Sequence, residues 1–161
     1  VRSGQAVPLA VLTYGQSGAL FINPTNTDKQ RSTITLGDYR NPASTAATRI
    51  YIRARSNFAT YACAQIDDDV MRIATGAGFG TETVRASATM SRSAATGDSF
   101  TFEVSGNVFK LTYPGGTVSW TDSGGVVPTG TQCRYVGFGV NNTLADAYSA
   151  AINSWSGKDF T

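Results

Sequence analysis

From Arg49 to Trp155 the chain runs as short stretches in which apolar and polar residues alternate, each closed by a turn rich in Gly, Asp or Asn. Alternation with a period of two puts successive side chains on opposite faces of a strand, so this pattern points to half-buried β-sheet. Arg49 to Arg55 reads R-I-Y-I-R-A-R, which sets Ile50, Ile52 and Ala54 on one face and Tyr51, Arg53 and Arg55 on the other. Phe58 to Asp67 is a second strand. Asp68-Asp69 turns it into Val70-Met71-Arg72-Ile73 as a hairpin, because Asp tolerates the backbone angles of tight turns. Gly76-Ala77-Gly78-Phe79-Gly80 then breaks the pattern. Thr83 to Ser91 resumes it, with Val84, Ala86, Ala88 and Met90 on one face.

Ser99 to Ser105 carries Phe100, Phe102 and Val104 inward, Gly106-Asn107 makes a two-residue connection, and Val108 to Tyr113 returns. Pro114-Gly115-Gly116 turns the chain again into Thr117 to Thr121. Cys133 to Val140 is apolar on both faces, as a central strand should be, and Ile152 to Trp155 reads as a closing strand although the segment before it is Ala-rich. In the less patterned first 48 residues, Val7 to Leu12, Gly18 to Ile22 and Ser32 to Leu36 are the expected strands. Many short strands with turn signals between them predict an all-β, antiparallel jelly-roll sandwich. The expectation is one domain over residues 1–161, with residues 1–30 as a candidate extension that packs on a partner.

Composition narrows the function. Thirteen Lys and Arg against eleven Asp and Glu are scattered rather than clustered, so nucleic acid is not an expected partner. No apolar run is long enough to cross a bilayer, so no membrane insertion is expected. The opening Val1-Arg2-Ser3-Gly4 lacks a basic region followed by an apolar one, so no signal peptide is predicted. Cys63 and Cys133 are the two cysteines, read as two buried thiols with a single bridge as the alternative. There is no histidine, which removes the commonest general base and most zinc sites.

Candidate sites are few. Glycoside hydrolysis needs two carboxylates about 5 to 10 Å apart. Glu103 stands alone between Phe102 and Val104, and Glu82 sits beside a glycine loop. No catalytic residue is assigned and no enzymatic activity is expected. Asp67, Asp68 and Asp69 offer oxygens to calcium, but a calcium site draws six or more oxygens, so a solvated hairpin tip without cofactor is the expectation. Tyr51, Arg53 and Arg55 make a polar-aromatic stripe suited to glycan or protein contact, since rings stack on sugars and guanidinium forks bind hydroxyls and carboxylates. Pairing across strands is the plainer use of the same residues. Trp120 and Trp155 read as core or interface residues. The glycines at 76–80 lack the Lys and helix of a phosphate loop.

One longer motif remains. Gly97-Asp98-Ser99-Phe100-Thr101-Phe102-Glu103-Val104-Ser105-Gly106-Asn107 leads through a hairpin to Ser119-Trp120-Thr121-Asp122, then to Arg134-Tyr135-Val136-Gly137-Phe138-Gly139. This order resembles the laminin-G-like and concanavalin-like jelly rolls. With R-I-Y-I-R-A-R-S and Y-A-C-A-Q-I upstream, residues 30–160 look most like the lectin-like domain of minor tail proteins from phages of mycobacteria and related actinobacteria. The resemblance implies a non-enzymatic virion structural protein, at the tail rather than the capsid surface, present in multiple copies in a symmetric assembly. It implies contacts with other virion proteins and binding to host cell-envelope glycan; such domains often end a longer chain, and because nothing precedes the domain in this sequence, attachment through a neighbouring protein is the expectation. A capsid decoration protein and a free-standing carbohydrate-binding module are the alternatives.

Overall fold

A computed structural model describes residues 15–21, 23–38, 46–78, 80–144 and 147–159. Val7 to Leu12 lies outside these residues. The described residues form twelve strands: β1 (Gly15–Leu20), β2 (Gln30–Leu36), β3 (Thr48–Ala54), β4 (Tyr61–Asp67), β5 (Val70–Gly76), β6 (Glu82–Thr89), β7 (Ser99–Ser105), β8 (Val108–Tyr113), β9 (Gly116–Thr121), β10 (Tyr135–Leu144), β11 (Ala147–Tyr148) and β12 (Ile152–Asp159). One turn of 3-10 helix, Thr131–Cys133, precedes β10. A seven-stranded sheet runs β1-β10-β3-β4-β5-β6, with β11 beside β10, and a five-stranded sheet runs β12-β2-β7-β8-β9. Neighbouring strands are antiparallel. The protein is thus an all-β jelly-roll sandwich, and Gly15–Leu20 is built into it as an edge strand.

The alternation read from the sequence assembles the core. Phe100, Phe102, Val104, Phe109 and Leu111 from the five-stranded sheet meet Ile50, Ile52, Ala64, Ile66, Met71 and Ile73 from the seven-stranded one. Each large apolar side chain buried there contributes about 1.5–3 kcal/mol, so facing rows from two sheets decide the architecture. Asp68 and Asp69 connect β4 to β5, and Gly106-Asn107 connects β7 to β8, at the places the turn chemistry indicated. Ile152–Asp159 closes the five-stranded sheet as β12, and the described residues of the Ala-rich stretch before it form no helix. Trp155 packs against the core and donates Nε1–H to Ser32 Oγ at 2.8 Å.

Three local departures from alternation matter. Ile73 faces Ala86 but Ala74 faces Val84, so Arg85 is an extra residue in β6. Ala86 and Ala88 therefore pack on the core while Val84 is turned out and 50 % exposed, against the reading that put all three on one face. Phe58 does not begin a strand: at φ 56 it sits in the turn before β4. Across from Val136, β3 carries two residues, Ile52 and Arg53, because Gly137 pairs with Tyr51 and Tyr135 with Ala54. Arg53 takes φ 47, and Ala54 crosses to the outer face of the sheet, where it packs with Tyr51, Tyr61, Cys63 and Ala74.

β10 approaches its neighbours closely through glycine. A Cβ on Gly137 would collide with the backbone at Ala19 and Leu20 of β1, whereas one on Gly124 would meet only a Val126 methyl at 3.8 Å. Gly137→Ala should therefore lower unfolding free energy by about 1–3 kcal/mol, while Gly124→Ala should stay within about 0.5 kcal/mol of the parent. Urea unfolding of both variants checks this; equal midpoints would contradict the close β1–β10 packing.

Candidate functional site

The extra residue in β3 builds a polar cleft. A bulge frees a backbone N–H from the ladder, and a buried N–H needs another acceptor. Arg53 N–H donates to Gln30 Oε1 at 2.6 Å, and the same buried amide donates through Nε2 to Thr25 Oγ1 at 2.8 Å. So anchored, the Arg53 side chain turns toward the five-stranded sheet. Its Nη2 donates to the Gly106 carbonyl at 2.6 Å and to the Asp28 carbonyl at 3.1 Å, and its guanidinium carbon lies 5.4 Å from the centre of the Phe109 ring. Arg53 is only 3 % exposed, and its Nε is buried with no hydrogen-bond partner among the described residues. Burial pulls the guanidinium below its ordinary pKa, and the charges of Asp28 and Asp122 oppose that shift.

Three separate stretches close around it. Asp28 and Lys29 come from the segment before β2, Gly106 and Asn107 from the β7–β8 turn, and Asp122 with Val127 from the segment after β9. The cleft they enclose measures about 360 Å³. Asp122 fixes the last stretch: its two carboxylate oxygens accept the backbone N–H groups of Val126 and Val127 at 2.9 and 2.8 Å, and its own N–H donates to the Asn107 carbonyl at 2.9 Å. Asp28 Oδ1 accepts from Gly130 N–H at 3.1 Å and from Arg134 Nε at 3.2 Å. Burial raises the Asp28 carboxyl, but these bonds outweigh it and hold the group below its ordinary 3.8.

The sequence-derived stripe is not brought together. Tyr51 is 0 % exposed and lies edge-on to Phe58 and Tyr61, at ring separations of 5.0 and 5.2 Å, rather than facing solvent. Arg53 is swung away from it by the bulge, and Arg55 lies half-buried beyond the end of the strand. The exposed face expected of Tyr51, Arg53 and Arg55 is therefore corrected: only Arg53 lines the cleft. Gln30, Asp28 and Asp122 were not singled out for this site, and only the turn signal at Gly106-Asn107 and the W-x-D motif marked its neighbourhood.

Asp67, Asp68 and Asp69 also diverge. Asp67 Oδ2 pairs with Arg72 Nη1 at 3.0 Å, while the carbonyls of Asp68 and Asp69 accept Ala94 and Met90 N–H groups. Burial raises the Asp67 carboxyl, with Arg72 opposing and the two neighbouring acids assisting. Among the described residues no three His, Cys, Asp or Glu converge to hold an ion. Glu103 lies between Arg31 Nη2 at 2.8 Å and Lys110 Nζ at 2.6 Å. Burial raises its carboxyl, but these two partners lower it overall, which is opposite to the tuning of a catalytic acid. Glu82 accepts from Arg49 Nε at 3.2 Å and Tyr61 OH at 3.1 Å. Cys63 and Cys133 are buried free thiols, and burial pushes the Cys63 thiol up. Among the described residues no helix is long and apolar enough to cross a membrane.

Two outcomes follow from this geometry. Gln30→Met keeps the volume but orphans the Arg53 N–H, and should cost about 1–3 kcal/mol in urea unfolding; an unchanged midpoint would show that the amide does not hold the bulge. Because the folded Asp28 carboxyl lies below its unfolded 3.8, the stability it adds is present above that pH and is lost as pH falls through the lowered value. Asp28→Asn should therefore flatten the acid limb of a stability profile below pH 3.8. A limb as steep as the parent's would exclude the contribution.

Comparison with solved structures places the fold. The chain is similar to the carbohydrate-binding module CBM66 from Bacillus subtilis, with 17 % identity over 96 % of this chain and 88 % of that one and a TM-score of 0.61. It is similar to the exoplasmic/lumenal domain of VIP36 in its Ca2+/Man-bound form, with 10 % identity over 99 % of this chain and 80 % of that one and a TM-score of 0.70. It is also similar to alginate lyase A1-II′, with 14 % identity over 86 % of this chain and 65 % of that one and a TM-score of 0.54. At such identities the likeness shows the fold, a lectin-like jelly roll, and the fold alone. No curated protein matches the chain. A family model matches residues 20–159, and the chain belongs to that family, described as a domain of unknown function, DUF7257.

Proposed function

We propose that this protein is a non-catalytic, lectin-like recognition domain that binds glycan in the Arg53 cleft. The observation that carries the reading is the cleft itself, a concavity whose lining includes the guanidinium-bearing Arg53, fixed by the carbonyls of Gly106 and Asp28, together with Lys29 and Asn107. Ligand sites typically combine a concavity of about 300–1,000 Å³ with a few fixed polar groups, and this cleft has both. Its likeness to a carbohydrate-binding module and to a domain solved with mannose bound supports sugar as the ligand. The ion pairs on Glu103 and Glu82 support the absence of glycan hydrolysis, since both carboxylates are engaged by cations of the chain itself. The reading uses no metal.

The proposed setting is a phage virion, with the domain at the tail end in several copies, docked on other virion proteins and facing host-envelope glycan. The motif from Gly97 to Gly139 supports that setting, and symmetric repetition would raise the avidity of a small domain.

A panel of immobilised bacterial envelope polysaccharides tests the first part. Saturable binding is expected, weakened about tenfold or more by Arg53→Met and reduced by Asn107→Ala, which sits on an exposed turn and leaves the core intact. Binding that survives both substitutions would move the site elsewhere, and absence of binding across the panel would sink the glycan reading. Gold-labelled antibody on purified virions tests the setting: label at the tail end is expected, label over the capsid would replace it with a decoration role, and no label would remove the virion placement.

A further inference from the structure

We propose that a cleft beside Arg85 is a second sugar site, so that the protein grips one extended glycan chain across two clefts. The inference rests on the glycan-binding reading and adds to it the length of ligand that is recognised. Strand β6 repeats what β3 does: Arg85 is the extra residue of a bulge, as Arg53 is. Its Nε donates to Thr75 Oγ1 at 2.9 Å, and its guanidinium carbon lies 5.7 Å from the centre of the Trp120 ring. Unlike Arg53, Arg85 is exposed, and its two Nη groups bond to none of the described residues. A guanidinium held in place with its fork open is a pre-set donor. The cleft beside it measures about 440 Å³, and Thr81, Thr83, Glu82 and Val126 help to line it. Thr81 donates to the Gly78 carbonyl and keeps its oxygen as an acceptor, and Thr83 is exposed. Hydroxyls that both give and accept match those of a sugar, while Val126, 48 % exposed, offers apolar surface to the C–H groups of a ring. The Glu82 carboxylate is engaged by Arg49 and Tyr61.

Two observations make the clefts neighbours. Gly125 and Val127 line the Arg53 cleft, while Val126, between them, lines the Arg85 cleft. One run of backbone, pinned by both oxygens of Asp122, is therefore the wall they share. Beneath it Phe109 and Trp120, paired across β8 and β9, stack with ring centres 5.2 Å apart. Arg53 lies over the first ring and Arg85 over the second, so the two guanidinium groups flank a single ring pair. A ligand seated in one cleft meets the other by extending past Val126. Its second set of contacts then forms without a second loss of translational freedom.

The test is calorimetry on the parent protein with single sugars, short oligomers and long oligomers released by partial hydrolysis from each polysaccharide of the envelope panel. Affinity is expected to rise about tenfold or more from the short to the long members of at least one series, with long members saturating at one chain per protein. Arg85→Met should bring that long-to-short ratio close to one, and Thr83→Ala, on an exposed strand position, should narrow it less. Affinity that does not depend on length, or two long chains bound per protein, would overturn the spanning ligand and leave glycan recognition standing. A ratio unchanged in both variants would remove the Arg85 cleft from the site. No binding by any member, short or long, would overturn the glycan reading with it.

Discussion

A single extra residue in β3 is the constraint on which the polar end of this sandwich depends. Arg53 cannot stay on the outer face once Ile52 and Arg53 together oppose Val136, and the bulge aims its guanidinium between the sheets. Burying a charged group carries an effective penalty of several kcal/mol unless its hydrogen bonds are met. That penalty explains why three segments far apart in sequence converge here. Gln30 satisfies the freed amide, Asp28 and Gly106 supply carbonyls to Nη2, and Phe109 lies beneath the guanidinium plane. Remove the bulge and none of these groups has a reason to meet.

The core makes this arrangement affordable in structural terms, because it holds the surrounding strands in fixed register. Phe100, Phe102 and Phe109 pack across from the aliphatic rows of β3, β4 and β5, while β10 lies tight against β1 through Gly137. On the outer face of the seven-stranded sheet a second cluster forms, in which Tyr51, Phe58 and Tyr61 meet edge to edge. Tyr51 thus belongs to packing. The recognition surface is left to the strand ends and their connections, where rigid strands position loops that can vary without disturbing the core.

Most of the fold was legible because it rests on local signals. Alternation located β7 and β8, Gly106-Asn107 located their turn, and two-sided apolarity located β10 as an interior strand. What alternation missed is also local but has no local signal. Arg53, Phe58 and Asp68 all adopt positive φ, and only Asp68 is of a type that favours it. The bulge at Arg53 is stabilised by Gln30, 23 positions earlier, and by a carbonyl 53 positions later. No window along the sequence contains those partners. The same holds for Val84, whose outward turn follows from a register shift against β5 rather than from its own neighbours. Of the stripe Tyr51, Arg53 and Arg55, the sequence therefore supplied the one residue that lines the cleft but not the reason it does.

A jelly-roll sandwich is shared by proteins with different activities, so the sheets cannot decide among them, and the decision passes to the ends of the strands. There Asp122 and Asp28 hold loop backbone and Glu82 is shared by Arg49 and Tyr61, while Glu103, within β7, is clamped by two cations. Acids held this way organise structure, and among the described residues no three of them converge on an ion. The basic side of the ledger is the reverse. Arg53 is held rigidly by its carbonyl partners and its ring contact, yet keeps one buried donor unused. The carbonyls of Asp28 and Gly106, which could have faced a bound cation, face a cation that the chain itself supplies. The positive charge at this end of the sandwich is therefore covalently built in.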